Sequence, residues 1–404
     1  MTISKAVSIA TERENRKRET MKSMHIPSST HQNRPNSGIA RLLTIFTLLL
    51  VSVPSSKAVD IITIGKGSGI VWEGYPFSAN LSGSIADTRL FNIYGIAAIS
   101  DSPNVCMDTS KLEEIGGYMA LPIAIGVGLI PRATISATYP LTPSNTQETL
   151  TGTIGLPRTE GRTSSGFVIT NPTTSTLFTS RQWCLPPRQN DVAYFYRNGF
   201  LRTAQLSGTW VMVANGRQSS QQIIIPAMYA ASFQAAHAGA DRSQQILPSA
   251  ITLRISTLEC TIATTTNINF GGVQRNTQVG SELARLSYPL TVACSQDTDK
   301  INANINVQFR AASGQYEGTP TRLALTQGGG YITGEIDNGV TGSGACNLTT
   351  GIPFDNTQLK VGSISSVEAT KVTNNQITWR LCSGGATLPL GPVDASTDML
   401  VTFN

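Results

Sequence analysis

Charge is scarce in this chain of 404 residues: Asp, Glu, Lys and Arg make up 14% of it, where an average soluble protein carries about 25%. Aromatic residues are thin as well, at 6%. Histidine is almost missing, with His25, His31 and His237 the full set. That shortage leaves little from which to build a histidine-cluster metal site, and a Ser-His-Asp or Cys-His site in the body of the chain would depend on His237 alone. His237 stands in Gln-Ala-Ala-His-Ala-Gly, which reads as solvent-facing, so an enzyme is not expected and no metal or other cofactor is implied. There is no C-x-x-C pair, the commonest mark of zinc or thiol–disulfide chemistry. Gly65-Lys-Gly-Ser-Gly69 lacks the spacing of a phosphate loop. No long amphipathic helix can be picked out. The apolar run over residues 42–53 (LLTIFTLLLVSV) is too short to cross a bilayer as an ordinary helix, which takes about 20 residues.

That run instead reads as the centre of a secretion signal. Basic residues precede it, and Ser56-Lys57-Ala58 follows with small residues at the two positions that signal peptidase reads. Residues 1–58 are therefore expected to be a leader with a long basic n-region, cut after Ala58, with Met21 and Met24 as alternative starts. The leader holds nine Lys/Arg and three Asp/Glu, a net of +6, and the whole chain is +5, so the remainder is 5 − 6 = −1. The basic character thus belongs to the leader, and nucleic-acid binding has no electrostatic basis.

All six cysteines lie beyond the leader: Cys106, Cys184, Cys260, Cys294, Cys346 and Cys382. An even number behind a secretion signal predicts three disulfides in an oxidising compartment. Sequential pairing (Cys106–Cys184, Cys260–Cys294, Cys346–Cys382) is the simplest of the fifteen connectivities that six cysteines allow.

Strand-like segments bounded by turn residues recur from Val59 onward. In the first half they are residues 61–64, 91–99, 133–139, 166–170, 192–196, 208–213 and 222–225. Two short stretches are the best helix candidates: residues 111–115, where Glu113-Glu114 reads as a solvated turn or helix start, and residues 229–238, which fits strand and loop equally well. Residues 238–247 are polar and aperiodic and mark a boundary. Beyond them, residues 251–255, 268–270, 290–293, 301–309, 322–325, 377–381 and 399–403 read as strands. Ile301, Ala303, Ile305, Val307 and Phe309 alternate with Asn302, Asn304, Asn306 and Gln308, the pattern of a half-buried strand with an amide-lined outer face.

The last fourteen residues, Gly391 to Asn404, carry the most information. Read as an extended strand, they put Gly391, Val393, Ala395, Thr397, Met399, Val401 and Phe403 on one face. The other face holds Pro392, Asp394, Ser396, Asp398 and Thr402, with Leu400 its one apolar exception. A glycine fourteenth from the end, alternating apolar residues and a penultimate aromatic resemble the C-terminal motif of subunits of chaperone–usher pili of Gram-negative bacteria. Phe403 stands where that motif usually has Tyr. The resemblance extends across the second half: Cys260-Thr-Ile-Ala-Thr-Thr-Thr-Asn-Ile-Asn-Phe270-Gly271 looks like the opening of a pilin domain, and Leu290-Thr-Val-Ala-Cys294 like the strand bearing its partner cysteine. Cys346 and Cys382 are an addition to the simplest pilin pattern.

The resemblance implies an all-β protein of two β-sandwich domains. Residues 59–245 would form an N-terminal, lectin-like receptor-binding domain, and residues 250–404 an incomplete immunoglobulin-like pilin domain lacking its seventh strand. Such a domain leaves an apolar groove that is filled by β-strand addition. Gly391, Val393, Met399, Val401 and Phe403 would build the groove, Gly391 by permitting close strand approach, and the Asn404 carboxylate would anchor the chaperone. The implied partners are a periplasmic pilus chaperone, an outer-membrane usher, an adjacent subunit donating its N-terminal strand, and a host glycan or glycoprotein receptor. The chain would pass through the periplasm to the fimbrium tip, because two-domain tip adhesins of type 1 and P pili have this organisation. A structural tip or terminating subunit without receptor binding is the neighbouring reading.

Sugar recognition calls for an aromatic face with fixed polar groups around it. The densest such cluster is Trp183, Arg188, Asn190, Asp191, Tyr194, Tyr196, Arg197 and Asn198, stiffened by Pro186-Pro187 and a disulfide at Cys184. The same pattern equally suits core aromatics, since Tyr194 and Tyr196 share one strand face.

Overall fold

The computed structural model describes residues 2–7, 10–12, 60–84, 95–141, 146–170, 181–186, 200–232 and 243–404. Among them the chain is all-β, with two single 3-10 turns, Thr109–Lys111 and Tyr316–Gly318, as its only helical pieces.

Three long antiparallel strands form the spine of the first half: Ser68–Ser84, Leu201–Asn215 and Val127–Pro140. The sheet continues outward through Gln147–Gly155, Glu160–Thr163 and Val168–Thr170. Alternation decides which face is inside: Ala133, Ile135, Ala137 and Tyr139 are buried, and Trp72, Phe77 and Trp210 fill the same interior, the rings of Phe77 and Trp210 lying 5.4 Å apart. Smaller sheets complete this half. Cys184–Leu185, Ala97–Ser100, Met228–Ala231 and Ser243–Leu247 form one, and Thr252–Ile255 lies between Gln221–Ile224 and Ile61–Ile64 in another. The strand at 252–255 therefore runs in a sheet of the first half, and the change of sheet falls in the turn that precedes Glu259–Ala263.

Two facing sheets make the second half. One carries Leu359–Ile364, Ala303–Ala311 and the C-terminal strand Ser396–Phe403. The other runs Glu259–Ala263, Glu282–Ser295, Thr370–Ser383, Gly330–Ile336 and Leu323–Ala324. Phe309 from the first meets Trp379 from the second edge-on at 5.9 Å, and Phe354 stacks on Trp379 at 6.3 Å. All three cysteine pairs are sequential: Cys106–Cys184, Cys260–Cys294 and Cys346–Cys382.

Several local expectations need correcting. Residues 111–115 are not a helix: Asp108 caps a single turn by accepting from the Ser110 N–H at 3.0 Å, and Glu113–Ile115 then pairs with Tyr118–Ala124. Gly116 and Gly117, both at positive φ, form the two-residue turn between them, a job that side-chain-bearing residues do poorly. Residues 229–231 are strand, as are 243–247 inside the segment read as an aperiodic boundary. Residues 268–270 form no strand. The outer face of Ala303–Ala311 is not open to water, since Asn306 and Gln308 are 2% and 1% exposed beneath the first half. The segments at 91–94, 192–196 and 233–238, and His237, lie outside the described residues.

The turn between Leu359–Ile364 and Thr370–Ser383 makes a clean test of local electrostatics. The Lys371 ammonium donates to Glu368 at 2.9 Å, and the Ser365 N–H and hydroxyl donate at 2.8 and 2.9 Å. These bonds, Lys371 foremost, hold the Glu368 carboxyl at about 2 instead of the ordinary 4.5. Because the folded value is depressed, the contribution is complete above the ordinary value and fades as the pH falls towards 2. A carboxyl-carbon NMR titration is expected to place the Glu368 midpoint near 2, and Lys371→Ala to move it up towards 4.5. An unmoved midpoint in the variant would show that Lys371 is not the main cause.

Candidate functional site

The C-terminal strand Ser396–Phe403 is the best-built candidate. Thr397, Met399, Val401 and Phe403 are all fully buried, and the last three belong to the sandwich core. On its other face Asp398 pairs with Arg310, its cross-strand partner, while Leu400 and Thr402 are buried against the first half. The apolar exception at Leu400 thus has a reason: both faces of this strand are covered. At its end, the Asn304 N–H donates to the Asn404 carbonyl oxygen at 2.7 Å, and the Asn404 N–H donates back at 3.2 Å.

Gly391 and Val393 lie in the segment that leads into the strand. The strand begins only at Ser396, so Gly391 precedes it. Within the chain no atom lies within 4 Å of where a Gly391 Cβ would sit, and its φ of +94 favours glycine. Val393 is half-buried and packs on the core from the lead-in segment. Asp394 fastens that lead-in: its carboxylate accepts from the Gln327 amide and from the Thr326 hydroxyl at 2.8 Å, and its carbonyl accepts the Thr326 N–H at 2.8 Å. The amide of Gln327 first, then the Thr326 hydroxyl, hold the Asp394 carboxyl below the usual carboxylate range. Between residues 267–273 and 391–395 lies a groove of about 630 Å³, with Phe270, Leu325, Ile332, Leu381 and Val393 along it.

The outer edge of this strand has a neighbour from the far end of the sequence. Thr2–Val7 pairs with it in parallel, from Thr2 opposite Ser396 to Val7 opposite Val401. A second short strand, Ala10–Glu12, pairs with Ile61–Ile64. Both short strands fall within residues 1–58, the segment expected to be a leader. Among the described residues, apart from Thr2–Val7, the C-terminal strand pairs on one side only, with Ala303–Ala311.

The aromatic cluster of the first half is resolved at one end. Trp183 is 2% exposed, with φ 53, and its carbonyl accepts the Ile99 N–H at 2.9 Å, so it is a core aromatic and not a surface platform. Arg188, Asn190, Asp191, Tyr194, Tyr196, Arg197 and Asn198 lie outside the described residues. No group of three or more His, Cys, Asp or Glu that could hold a metal occurs among the described residues.

Sequence reasoning missed the polar junction between the halves. Glu73, with a side chain 6% exposed, forms an ion pair with Arg132 at 3.1 Å. The same carboxylate oxygen accepts from Thr209 at 2.8 Å and from the Asn356 amide, on the second half, at 3.3 Å. Gln308 adds a bond from its amide to the Glu73 carbonyl at 3.3 Å. Burial pulls the Arg132 guanidinium below its ordinary value, the Glu73 carboxylate opposing it. A signal was present: Asn306, Gln308 and Arg310 share a strand face beside the exceptional Leu400.

No protein-family model matches this chain, and no curated protein matches it. Solved structures with some likeness include a chaperone–tip adhesin complex of CFA/I fimbriae biogenesis, at 8% identity over 82% of this chain and 92% of that one, TM-score 0.23. The CupB6 tip adhesin from Pseudomonas aeruginosa is 13% identical over 84% and 91% of the two chains, TM-score 0.25. A mutant of the CFA/I adhesin CfaE of enterotoxigenic E. coli is 8% identical over 82% and 93%, TM-score 0.17.

Proposed function

We propose that this chain is a non-enzymatic fimbrial tip adhesin, assembled by strand addition along the chaperone–usher pathway. The observation that carries the reading is the edge of Ser396–Phe403, which accepts a parallel strand over Ser396–Val401. In this reading residues 1–58 are a leader, and their removal strips Thr2–Val7 from the edge. An exposed strand with Met399, Val401 and Phe403 beneath it is an aggregation template until another strand replaces the lost one. A periplasmic chaperone supplies that strand first. At the usher, the N-terminal extension of the adjacent subunit takes its place. The sequence ahead of the sandwich binds the host receptor, a glycan or glycoprotein, and a chain that accepts a strand but lends none sits at the fimbrium tip.

The test compares the chain of residues 59–404, secreted alone, with the same chain given a synthetic peptide of the Thr2–Val7 sequence, followed by size-exclusion chromatography and light scattering. Aggregation without the peptide and a monomer with it are expected. A stable monomer without any added strand would refute strand addition. The complemented monomer, applied to a glycan array, then reports on receptor binding.

A further inference from the structure

We propose that the outer edge of Gln221–Ile224 is a pairing surface for a second copy of this chain, the two copies joining edge to edge as an antiparallel ladder. Gln221–Ile224 is the outermost strand of the small sheet it shares with Thr252–Ile255 and Ile61–Ile64. Among the described residues Thr252–Ile255 is its only partner strand. The backbone shows which groups the edge offers. The Ile225 N–H donates to the Ile251 carbonyl at 3.0 Å, one step beyond Ile224 opposite Thr252. In an antiparallel ladder, residues whose N–H and C=O point at the partner alternate with residues that point them away. Gln221 and Ile223 therefore turn these groups towards Thr252–Ile255, and Gln222 and Ile224 turn theirs outward. Side chains alternate between the two faces of the sheet. Ile225 is buried and Gln221 and Ile223 are half-buried, while Gln222 is exposed and Ile224 is 71% exposed.

What sets this edge apart is that it carries no guard. Exposed edges ordinarily bear a charge, a proline or a covering element that keeps other strands away. Glu259–Ala263 carries the exposed Glu259, and Leu359–Ile364 the exposed Lys360. Ser243–Leu247 has no charge but leans on Ser68–Ser84, where the Gln244 amide donates to the Ser78 carbonyl at 3.2 Å. Gln221–Ile224 has none of these along its length. Gln-Gln-Ile-Ile, followed by Ile225, is an uncharged run ending in β-branched residues, the composition of strands that stack on their own kind. Pro226 interrupts the pattern only after it. A like copy therefore meets no repulsion. With Ile223 opposite Ile223 of the second copy, Gln222 faces Ile224 in both directions, and each such pair exchanges both N–H···O bonds. Ile224 is covered in the process and no charge is buried, since Arg254, the one charge on the neighbouring strand, stays a strand inward. The pairing needs neither a donor strand nor a receptor, so it stands apart from the pilus reading.

Sedimentation velocity of the full-length chain over a wide range of concentration tests the pairing; in that chain Thr2–Val7 already covers the edge of the C-terminal strand. A mass rising towards that of two chains is expected, with amide exchange at Gln222 and Ile224 slowing as the mass rises. Ile224→Lys changes an exposed side chain, so the variant should stay folded by circular dichroism, yet it sets like charges on the shared face and should weaken association about tenfold or more. Leu390→Lys, at a side chain 82% exposed on another segment, should leave association unchanged. A monomer at every concentration, association that survives Ile224→Lys, equal loss in both variants, or fast exchange at Gln222 and Ile224 within the pair would each overturn the proposal. Aggregation of residues 59–404 reports on strand addition and pairing of the full-length chain on this edge, so either can fail alone.

Discussion

A chain in which Val401 and Phe403 are both replaced by aspartate is expected to leave no soluble folded protein in the periplasm, with or without an added strand. Both side chains are fully buried in the sandwich core. Truncating a buried Phe to Ala costs about 3–5 kcal/mol by itself, and domains are stable by only about 5–15 kcal/mol. A carboxylate in that place adds the penalty of an unpaired charge away from water, so two such changes exceed any ordinary margin. Val372→Asp is the control, because Val372 also lies on a strand but is 58% exposed, and it should accumulate normally. Equal accumulation of the double variant and the control would mean that the C-terminal strand is not docked as described. The unsubstituted chain should differ from the double variant in one respect: an added strand rescues it, because only its edge is missing and its core is intact.

Much of this architecture was legible where one physical rule acted alone. Three disulfides followed from an even cysteine count, the simplest of the fifteen pairings is the one formed, and the alternation of Met399, Val401 and Phe403 placed them inside. Expectations failed where a second element decided the outcome. The outer face of Ala303–Ala311 carries amides and looked solvated, yet Gln308 is buried because Glu73 from a strand 235 residues away bonds it. The run around Ile268 has strand-forming residues but lines the groove beside residues 391–395 without joining a ladder, and Gly271 and Gly272 follow at once. Gly116-Gly117 is a local hairpin signal that could have overruled the helix expected at residues 111–115. The junction between the halves was legible on one strand only: Asn306, Gln308 and Arg310 share a face, but Glu73, Arg132, Thr209 and Asn356 come from distant parts of the sequence and no single stretch joins them.

Removing the Cys106–Cys184 bridge by paired serine substitution is expected to destabilise the chain more than removing Cys260–Cys294. The bridges span 78 and 34 residues, which in a chain-entropy treatment correspond to about 4.5 and about 3.8 kcal/mol. Loop length is the smaller part of the difference. Cys260 and Cys294 face each other in register between Glu259–Ala263 and Glu282–Ser295, so the ladder on either side holds those strands together without the bridge. Cys106 has a shorter ladder beside it, although Met107 next to it is buried in the core. It precedes Met107–Asp108, whose only partner strand among the described residues is Arg181–Gln182, a pairing of two residues on each side, joined by an ion pair from Arg181 to Asp108 at 2.5 Å. Cys184, in turn, pairs with Ala98 at the end of a small sheet. The bridge therefore reinforces a short ladder and the burial of Met107, and its loss should lower the urea midpoint of the first half while leaving the midpoint of the second half in place. Equal losses from the two double variants would mean that residues 106–108 and 181–185 are held by their packing and not by the sulfur.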